Sequence, residues 1–390
     1  MLQAKTNNGE FTTLASLPKT EIAKKRKQPF FCPTCHEQVI VRVGPQTIPH
    51  FAHKSKSKCP LSEGGESVYH EKGKFLLYRW LASQGLDVEL EHYLPSIQQR
   101  PDILLTVSNK RIAIEYQCAR IPIQTVHKRI KGYCREGITP IWIMSAKLFR
   151  RKRHNTIKID SFLQQFIHHF STETIPVLYF LCPQTKQFIR FQHIIYNRMN
   201  QALGRIVVTP YDFLTFPELF TNHTYSRQNL YQDWKREKRF LRLHRKRQLY
   251  GRDLDWHNWL YEKRTHKEYM PSVIHLPVYG QHLMKIPLWD WQSRICLDII
   301  HQRKIGGVLS DGECKQLLML DMIKSSHYPM LNTHADPIKE YLNLLVKEGT
   351  LLRVNGQYRK VKQLSFYSTL EDAIRGDRLL MDRLSENVSI

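Results

Sequence analysis

Apolar and polar positions alternate, cluster and recur along the chain in patterns that divide it into four stretches. Residues 1–65 carry short extended segments punctuated by Gly and Pro, such as the alternating Gln38–Val43 before Gly44-Pro45. Over 66–146 the period changes. Phe75, Leu76, Tyr78, Trp80 and Leu81 supply the apolar surface of a helix spanning Glu66 to about Ser83, and three extended runs follow at Asp87–Leu94, Asp102–Val107 and Arg111–Gln117. Ser108-Asn109-Lys110 offers a short hairpin turn, a second helix runs through about Val126–Arg135, and Ile138–Met144 reads as a buried strand after Gly137. The predicted order is helix, three strands, helix, strand.

The third stretch, 147–265, holds a hairpin at Val177–Cys182 and Gln187–Phe191, then a basic, aromatic-containing helix from Arg227 to Arg252. The fourth, 266–390, is mostly helical from about Ile286. Ser310 and Glu313 have capping-box spacing, and Asn355-Gly356 between Thr350–Val354 and Gln357–Val361 marks a two-residue hairpin. Helices followed by such a hairpin resemble a winged helix. The expected fold class is α/β at its centre, with a small module before it and a mostly helical region after it.

Bulk properties narrow the function. With 390 residues, the chain has room for two or three domains. Its first residues lack the apolar core of a secretory signal, and no run reaches the roughly 18 apolar residues of a membrane span. These features predict a cytoplasmic protein. The formal charge is +24, with a pI near 9.7, which calls for a polyanionic partner. Charge alone leaves open both nucleic acid and an anionic membrane surface, the latter suiting an adaptor of an uptake machinery.

Two residue clusters carry chemistry. Cys32-Pro33-Thr34-Cys35 sets two thiolates on a tight turn, His50-Phe51-Ala52-His53 follows, and Cys59 lies six residues further on. Thiolate and imidazole sets suit tetrahedral zinc, here Cys32, Cys35, His53 and Cys59, with His50 as the substitute for one of the last two. Ordinary buried thiols are the alternative. The expected role is structural.

The second cluster is acidic. Glu66, His70 and Lys74 share one helix face, while Asp102 and Glu115 sit at the ends of apolar strands with Gln117 on the same face as Glu115. Carboxylates in such places are costly unless they serve a ligand, and hard oxygens suit Mg²⁺ or Mn²⁺. A surface salt bridge is the alternative for any one of these acids, Glu66 most of all. On the next helix, Arg129 and Tyr133, four apart and flanked by His127 and Lys131, are candidates to clamp a phosphate or to form a solvated face. Two basic runs, Lys147–His154 and Lys235–Arg247, add candidate phosphate contacts, chiefly Arg242, Arg245, Lys246 and Arg247.

Pro101-Asp102 and Glu115-Tyr116-Gln117 after a Glu-bearing helix resemble the PD-(D/E)xK nuclease superfamily. More narrowly, Cys32-Pro33-Thr34-Cys35, His50-Phe51-Ala52-His53, Glu66-Ser67, His70, Lys74, Arg100-Pro101-Asp102 and Ile114-Glu115-Tyr116-Gln117 together resemble the CoiA-like competence proteins of naturally transformable bacteria. The resemblance covers about residues 1–150. It implies a restriction-endonuclease-like core and a Mg²⁺- or Mn²⁺-dependent deoxyribonuclease, with metal on Glu66, Asp102 and Glu115. The implied role is handling DNA taken up for transformation, beside recombination or DNA-uptake proteins. Gln117 stands where that superfamily usually has Lys, and Lys74 is the residue placed to replace it. The alternative is a non-catalytic DNA-binding recombination accessory that keeps the nuclease fold.

Overall fold

Short strands and few apolar residues give the N-terminal segment a small core. The computed structural model describes residues 1–44, 47–54, 59, 67–171, 174–245, 247–331 and 335–386. Strands β1 (Gln3–Lys5), β2 (Phe11–Thr13), β3 (Phe30–Phe31), β4 (Gln38–Arg42) and β5 (His50–His53) pair antiparallel in the order β2-β1-β3-β4-β5, with α1 (Lys19–Lys25) between β2 and β3. Ala4, Leu14, Ile22, Phe30, Val39 and Phe51 pack with Cys32 and Cys59. So few apolar side chains call for a staple.

The centre follows the predicted order. Helix α2 (Val68–Ala82) is capped by Ser67, whose Oγ accepts the His70 N–H at 3.2 Å. Strands β6 (Asp87–Leu90), β7 (Ile103–Val107) and β8 (Lys110–Gln117), helix α3 (Ile123–Arg135) and strand β9 (Thr139–Ser145) come next. The β7–β8 hairpin closes through Ser108 and Asn109, both at positive φ (47° and 62°), the conformation a two-residue turn requires. The sheet runs on past residue 146. β10 (Arg151–Arg153), β11 (Thr156–Lys158), the short α4 (Ser161–Gln164), β12 (Val177–Cys182), β13 (Gln187–Arg198) and β14 (Gln201–Pro210) complete nine strands in the order β10-β11-β14-β13-β12-β9-β8-β7-β6. β8, β9 and β12 are mutually parallel and the remaining pairs antiparallel.

Side-chain alternation sorts the two faces. Ile114, Tyr116, Ile141 and Ile143 pack with Leu77, Trp80 and Leu81 of α2, whereas Trp142 and Met144 pack with Val126 and Ile130 of α3. The α2 side is tight: a Cβ on Gly73 would lie 1.9 Å from the Tyr116 ring, so the helix settles on β8 only because residue 73 has no side chain.

The C-terminal half is mainly helical, with α5 (Arg227–Leu243), α6 (Arg252–Glu262), α7 (Leu288–Arg294), α8 (Asp311–Leu317), α9 (Pro337–Glu348) and α10 (Leu370–Glu386). Strands β15 (Val308–Leu309), β16 (Leu351–Val354) and β17 (Gln357–Lys360) form a sheet in the order β15-β17-β16, its hairpin turning at Asn355 and Gly356 with φ of 49° and 79°. Among the described residues no helix is long and apolar enough to cross a membrane.

The basic helix α5 lies where a solvated charge run would not. It packs on α10 and buries Lys238 and Arg242 beside Leu230, Tyr231 and Trp234. Arg242 grips Asp377 with two nitrogens, at 2.5 and 2.8 Å, and donates to the carbonyls of Glu268 (2.8 Å) and Met270 (3.1 Å). Lys238 donates to the Ser272 and Ile274 carbonyls at 2.8 and 2.6 Å. Burial lowers its pKa to about 8 against the pull of Asp377. Asp377→Ala would leave two buried cations facing no carboxylate, so we expect a loss of about 3–5 kcal/mol. Urea unfolding measures it, and a loss under about 1 kcal/mol would mean the pair is solvent-screened.

Candidate active site and metal centre

Hydrogen bonds shape the N-terminal turn before any metal is considered. Cys32 follows β3, its N–H donates to the Glu37 carbonyl at 2.9 Å, and its carbonyl accepts the His36 N–H at 3.0 Å. His36 sits at φ 60°, closing a tight loop that turns Cys35 back beside Cys32. The β4–β5 register pairs Val39 with His53, which brings the imidazole to within 3.3 Å of the Cys35 sulfur. Ligand atoms of Cys32, Cys35, His53 and Cys59 all lie within 4.8 Å of one another, a set consistent with a structural zinc. Burial and the adjoining thiols push Cys35 up to about 12. His50 stays outside the set. Its Nδ1 donates to the Ile48 carbonyl at 2.9 Å and lies 3.5 Å from Glu71.

The acidic cluster assembles where β7 begins. Ile103 pairs with Ile114, so the next step of the register brings Asp102 level with Glu115 on the adjacent strand. Asp102 Oδ2 accepts the Tyr116 N–H at 2.8 Å, and the His70 Nε2 stands 3.3 Å from the same oxygen. From α2 the fully buried Lys74 reaches across, with its Nζ 3.6 Å from Asp102 Oδ1 and 2.5 Å from Glu91 Oε1. Glu115 is also buried and faces α3, where Arg129 and Tyr133 both donate to its Oε1. Burial raises the Glu115 pKa and the nearby Asp102 charge adds to the rise, while Arg129 opposes both.

Family models describe three consecutive parts of this chain. The competence protein CoiA N-terminal domain matches residues 14–62, the CoiA nuclease-like domain 66–224 and the CoiA C-terminal domain 230–374. The competence protein CoiA of Bacillus subtilis (strain 168) is 30% identical over 365 residues, covering 91% of this chain and 96% of that protein. The chain belongs to the CoiA competence protein family. No solved structure matches it. In CoiA terms, the sulfur and imidazole cluster lies within the N-terminal domain, and strands β6 to β14 all lie within the nuclease-like domain.

Several residues picked from sequence stand elsewhere than expected. Glu66 and Lys246 lie outside the described residues. Gln117 is half-buried and donates from Nε2 to the Ala119 carbonyl at 2.6 Å. Arg129 and Tyr133 both donate to Glu115, and an Arg129 nitrogen also donates to the Arg100 carbonyl at 3.1 Å, so the pair lies on the carboxylate and not on an open helix face. Arg242 is buried against Asp377 and not on an exposed basic face. Arg245 and Arg247 are exposed, the former 3.4 Å from Glu268.

Glu91 was missed. Simple alternation along Asp87-Val88-Glu89-Leu90-Glu91 sends all three acids to one solvent face. The strand instead ends at Leu90, and Glu91 takes a positive φ of 52° that turns its carboxylate inward to Lys74. Its Oε2 accepts the Leu2 N–H at 2.8 Å and the Gln3 N–H at 3.3 Å, tying β1 of the N-terminal sheet to the site. No sequence signal marks that turn. His70 and Lys147 were visible, one by its spacing from Lys74 and the other by its basic run. The Lys147 amine lies 4.1 Å from the Tyr69 ring centroid, and Tyr69 stacks on Tyr116.

Proposed function

We propose that the nuclease-like domain is a metal-dependent deoxyribonuclease that processes DNA taken up for transformation and recombination, acting in the cytoplasm. The observation that carries this reading is Lys74. Its amine comes from α2 to stand 3.6 Å from Asp102, supplying the positive charge absent at Gln117. Three carboxylates, Glu91, Asp102 and Glu115, face the cations Lys74 and Arg129 and the His70 imidazole, so among these described residues acid exceeds permanent base. That excess, with the upward push of Asp102 on Glu115, fits Mg²⁺ or Mn²⁺ on Asp102 and Glu115, and Glu66 is proposed as a third ligand. When bound, such an ion activates water and neutralises charge on the scissile phosphate. Tyr116 N–H fixes the Asp102 carboxylate, Lys74 stabilises developing phosphate charge, and His70 is placed to take a proton beside Asp102.

The restriction-endonuclease-like assignment rests on the order α2, β6–β8, α3, β9 and on these residues. Zinc on Cys32, Cys35, His53 and Cys59 is structural in this reading. DNA would follow the exposed cations Arg151, Lys152 and Arg153 of the edge strand β10, with Arg245 and Arg247; Lys246, outside the described residues, is proposed beside them on its sequence position alone. The helices α8 and α9 with the β15-β17-β16 sheet have the connectivity of a winged helix, and this end is assigned to that class.

Arg129 on Glu115 favours a second reading, in which an internal cation has replaced the metal and the chain is a non-catalytic DNA-binding accessory. The test is cleavage of single-stranded, duplex and branched DNA with Mg²⁺ or Mn²⁺. Lys74→Ala should slow cleavage about 10²–10³-fold, the usual loss of one electrostatic stabiliser. Gln117→Lys should preserve or raise it. Tight binding without cleavage on all three substrates leaves the accessory reading standing.

A further inference from the structure

A cavity of about 720 Å³ lies far along the chain from these carboxylates, between the end of β13, the C-terminal half of α5, α6 and the start of α7. Its size falls within the roughly 300–1,000 Å³ of small-molecule sites. Phe240, Trp256 and Trp289 give it aromatic walls. The Trp256 indole N–H is already satisfied, donating to Ser293 Oγ at 3.0 Å, so its ring is left for apolar contact.

One wall residue is out of place for a structural role. Asn197 is fully buried, lines the cavity, and has neither amide atom hydrogen-bonded among the described residues. An unpaired buried amide costs free energy unless something fills it. The backbone delivers it there. Tyr196 pairs with Ala202 and Arg198 with Gln201, so Asn197 is the extra residue of a β-bulge, a device that re-aims a side chain. Beside it, His275 holds a positive φ of 66°, its ring next to the Asn197 backbone, and burial keeps its imidazole neutral. Among its lining residues Glu237, Asp253 and Glu268 stand against Arg198, Arg245 and Lys267, with His244, His257 and His266 also present. The unpaired amide beside aromatic walls suits a flat, hydrogen-bonding ring. Next to it, the Arg198 and Arg153 guanidinium groups lie 3.8 and 5.0 Å from the Phe240 ring centroid, so the basic edge strand β10 leads to this wall.

We infer that this cavity binds a nucleobase, best an adenine, whose hydrogen-bonding edge is read by the Asn197 amide while its ring packs against Trp256 and Trp289. Asn pairs with adenine through two hydrogen bonds, and aromatic faces accept any stacked base. The base belongs either to an unpaired strand or to a free nucleotide, and the inference does not depend on cleavage at the carboxylate site.

The test uses the full chain in metal-free buffer, so that nuclease activity cannot enter. Titration calorimetry compares dAMP, an oligo-dA strand and an abasic strand of equal length and charge. The dA strand should bind about tenfold tighter than the abasic one, and Asn197→Ala should erase that preference. The melting temperature of Asn197→Ala should stay level or rise, because the amide has no partner to lose. Saturable dAMP binding identifies a free nucleotide as the source, and strand-only binding identifies an unpaired base. Equal affinity for dA and abasic strands overturns the inference. So does a preference that survives Asn197→Ala, or a lowered melting temperature that makes the amide a structural group.

Discussion

Asp102→Asn is expected to reduce Mg²⁺- or Mn²⁺-dependent DNA cleavage by at least about 10³-fold, the rate equivalent of roughly 4 kcal/mol of transition-state stabilisation. The substitution is conservative where it matters for folding. An amide oxygen still accepts the Tyr116 N–H, so the β7–β8 end keeps its shape while the charge that would hold a divalent ion is gone. Glu115→Gln should match it in activity and differ in stability, because it leaves Arg129 buried beside a neutral amide. DNA affinity should persist in both variants, since the exposed cations of β10 lie elsewhere and removing acid strengthens the field that attracts phosphate. The same site sets a pH dependence. Burial first, then Asp102, lifts Glu115 above the ordinary carboxylate range. Cleavage that needs ionised Glu115 therefore falls as pH drops through that raised value, earlier than for an exposed acid. Wild-type cleavage unaffected by Asp102→Asn would remove this carboxylate from the chemistry. A flat profile across the acid limb would do the same for Glu115.

Local chemistry made the centre of the fold readable from sequence. The Ser108-Asn109 turn, the apolar strands around it and the helix phase of α2 each announce themselves within a few residues, and the order of elements follows. Lys74 could be paired with the strand acids because it lies four residues after His70 on one helix face. What escaped depends on distant partners. Arg242 reads as a phosphate ligand within its run of cations, yet it answers to Asp377, 135 residues later, and to carbonyls of a loop no pattern places beside it. Arg129 and Tyr133 were correctly seen to be adjacent on α3, but only the sheet shows that their neighbour is Glu115. Glu91 was hidden by a single left-handed residue, which breaks the alternation on which a strand reading relies. Charge type and spacing find candidates; partners across the fold decide what each charge is for.

The N-terminal cluster ties stability to the proposed chemistry, and its disruption should therefore be felt in both. Cys32→Ser or Cys59→Ser is expected to release about one equivalent of zinc and to unfold the five-stranded sheet. The small apolar core there cannot replace a metal whose apparent binding energy in such modules is about 10–16 kcal/mol. His53→Ala should behave likewise, and His50→Ala should retain the metal, because His53 lies among the three sulfurs and His50 turns instead to the Ile48 carbonyl. The effect should travel. Leu2 and Gln3, at the start of the same sheet, donate their N–H groups to the Glu91 oxygen opposite the one that holds Lys74. Once that strand is lost, Glu91 loses two donors and Lys74 its fixed position, so cleavage should fall in step with zinc content even though no carboxylate near Asp102 has changed. Metal analysis of chelator-free protein, paired with cleavage rates on the same samples, reads both effects. Stoichiometric zinc in Cys59→Ser would remove that sulfur from the ligand set. Zinc-depleted protein that cuts at the wild-type rate would show that the module stands apart from the site, and that β1 contributes nothing to holding Lys74 against Asp102.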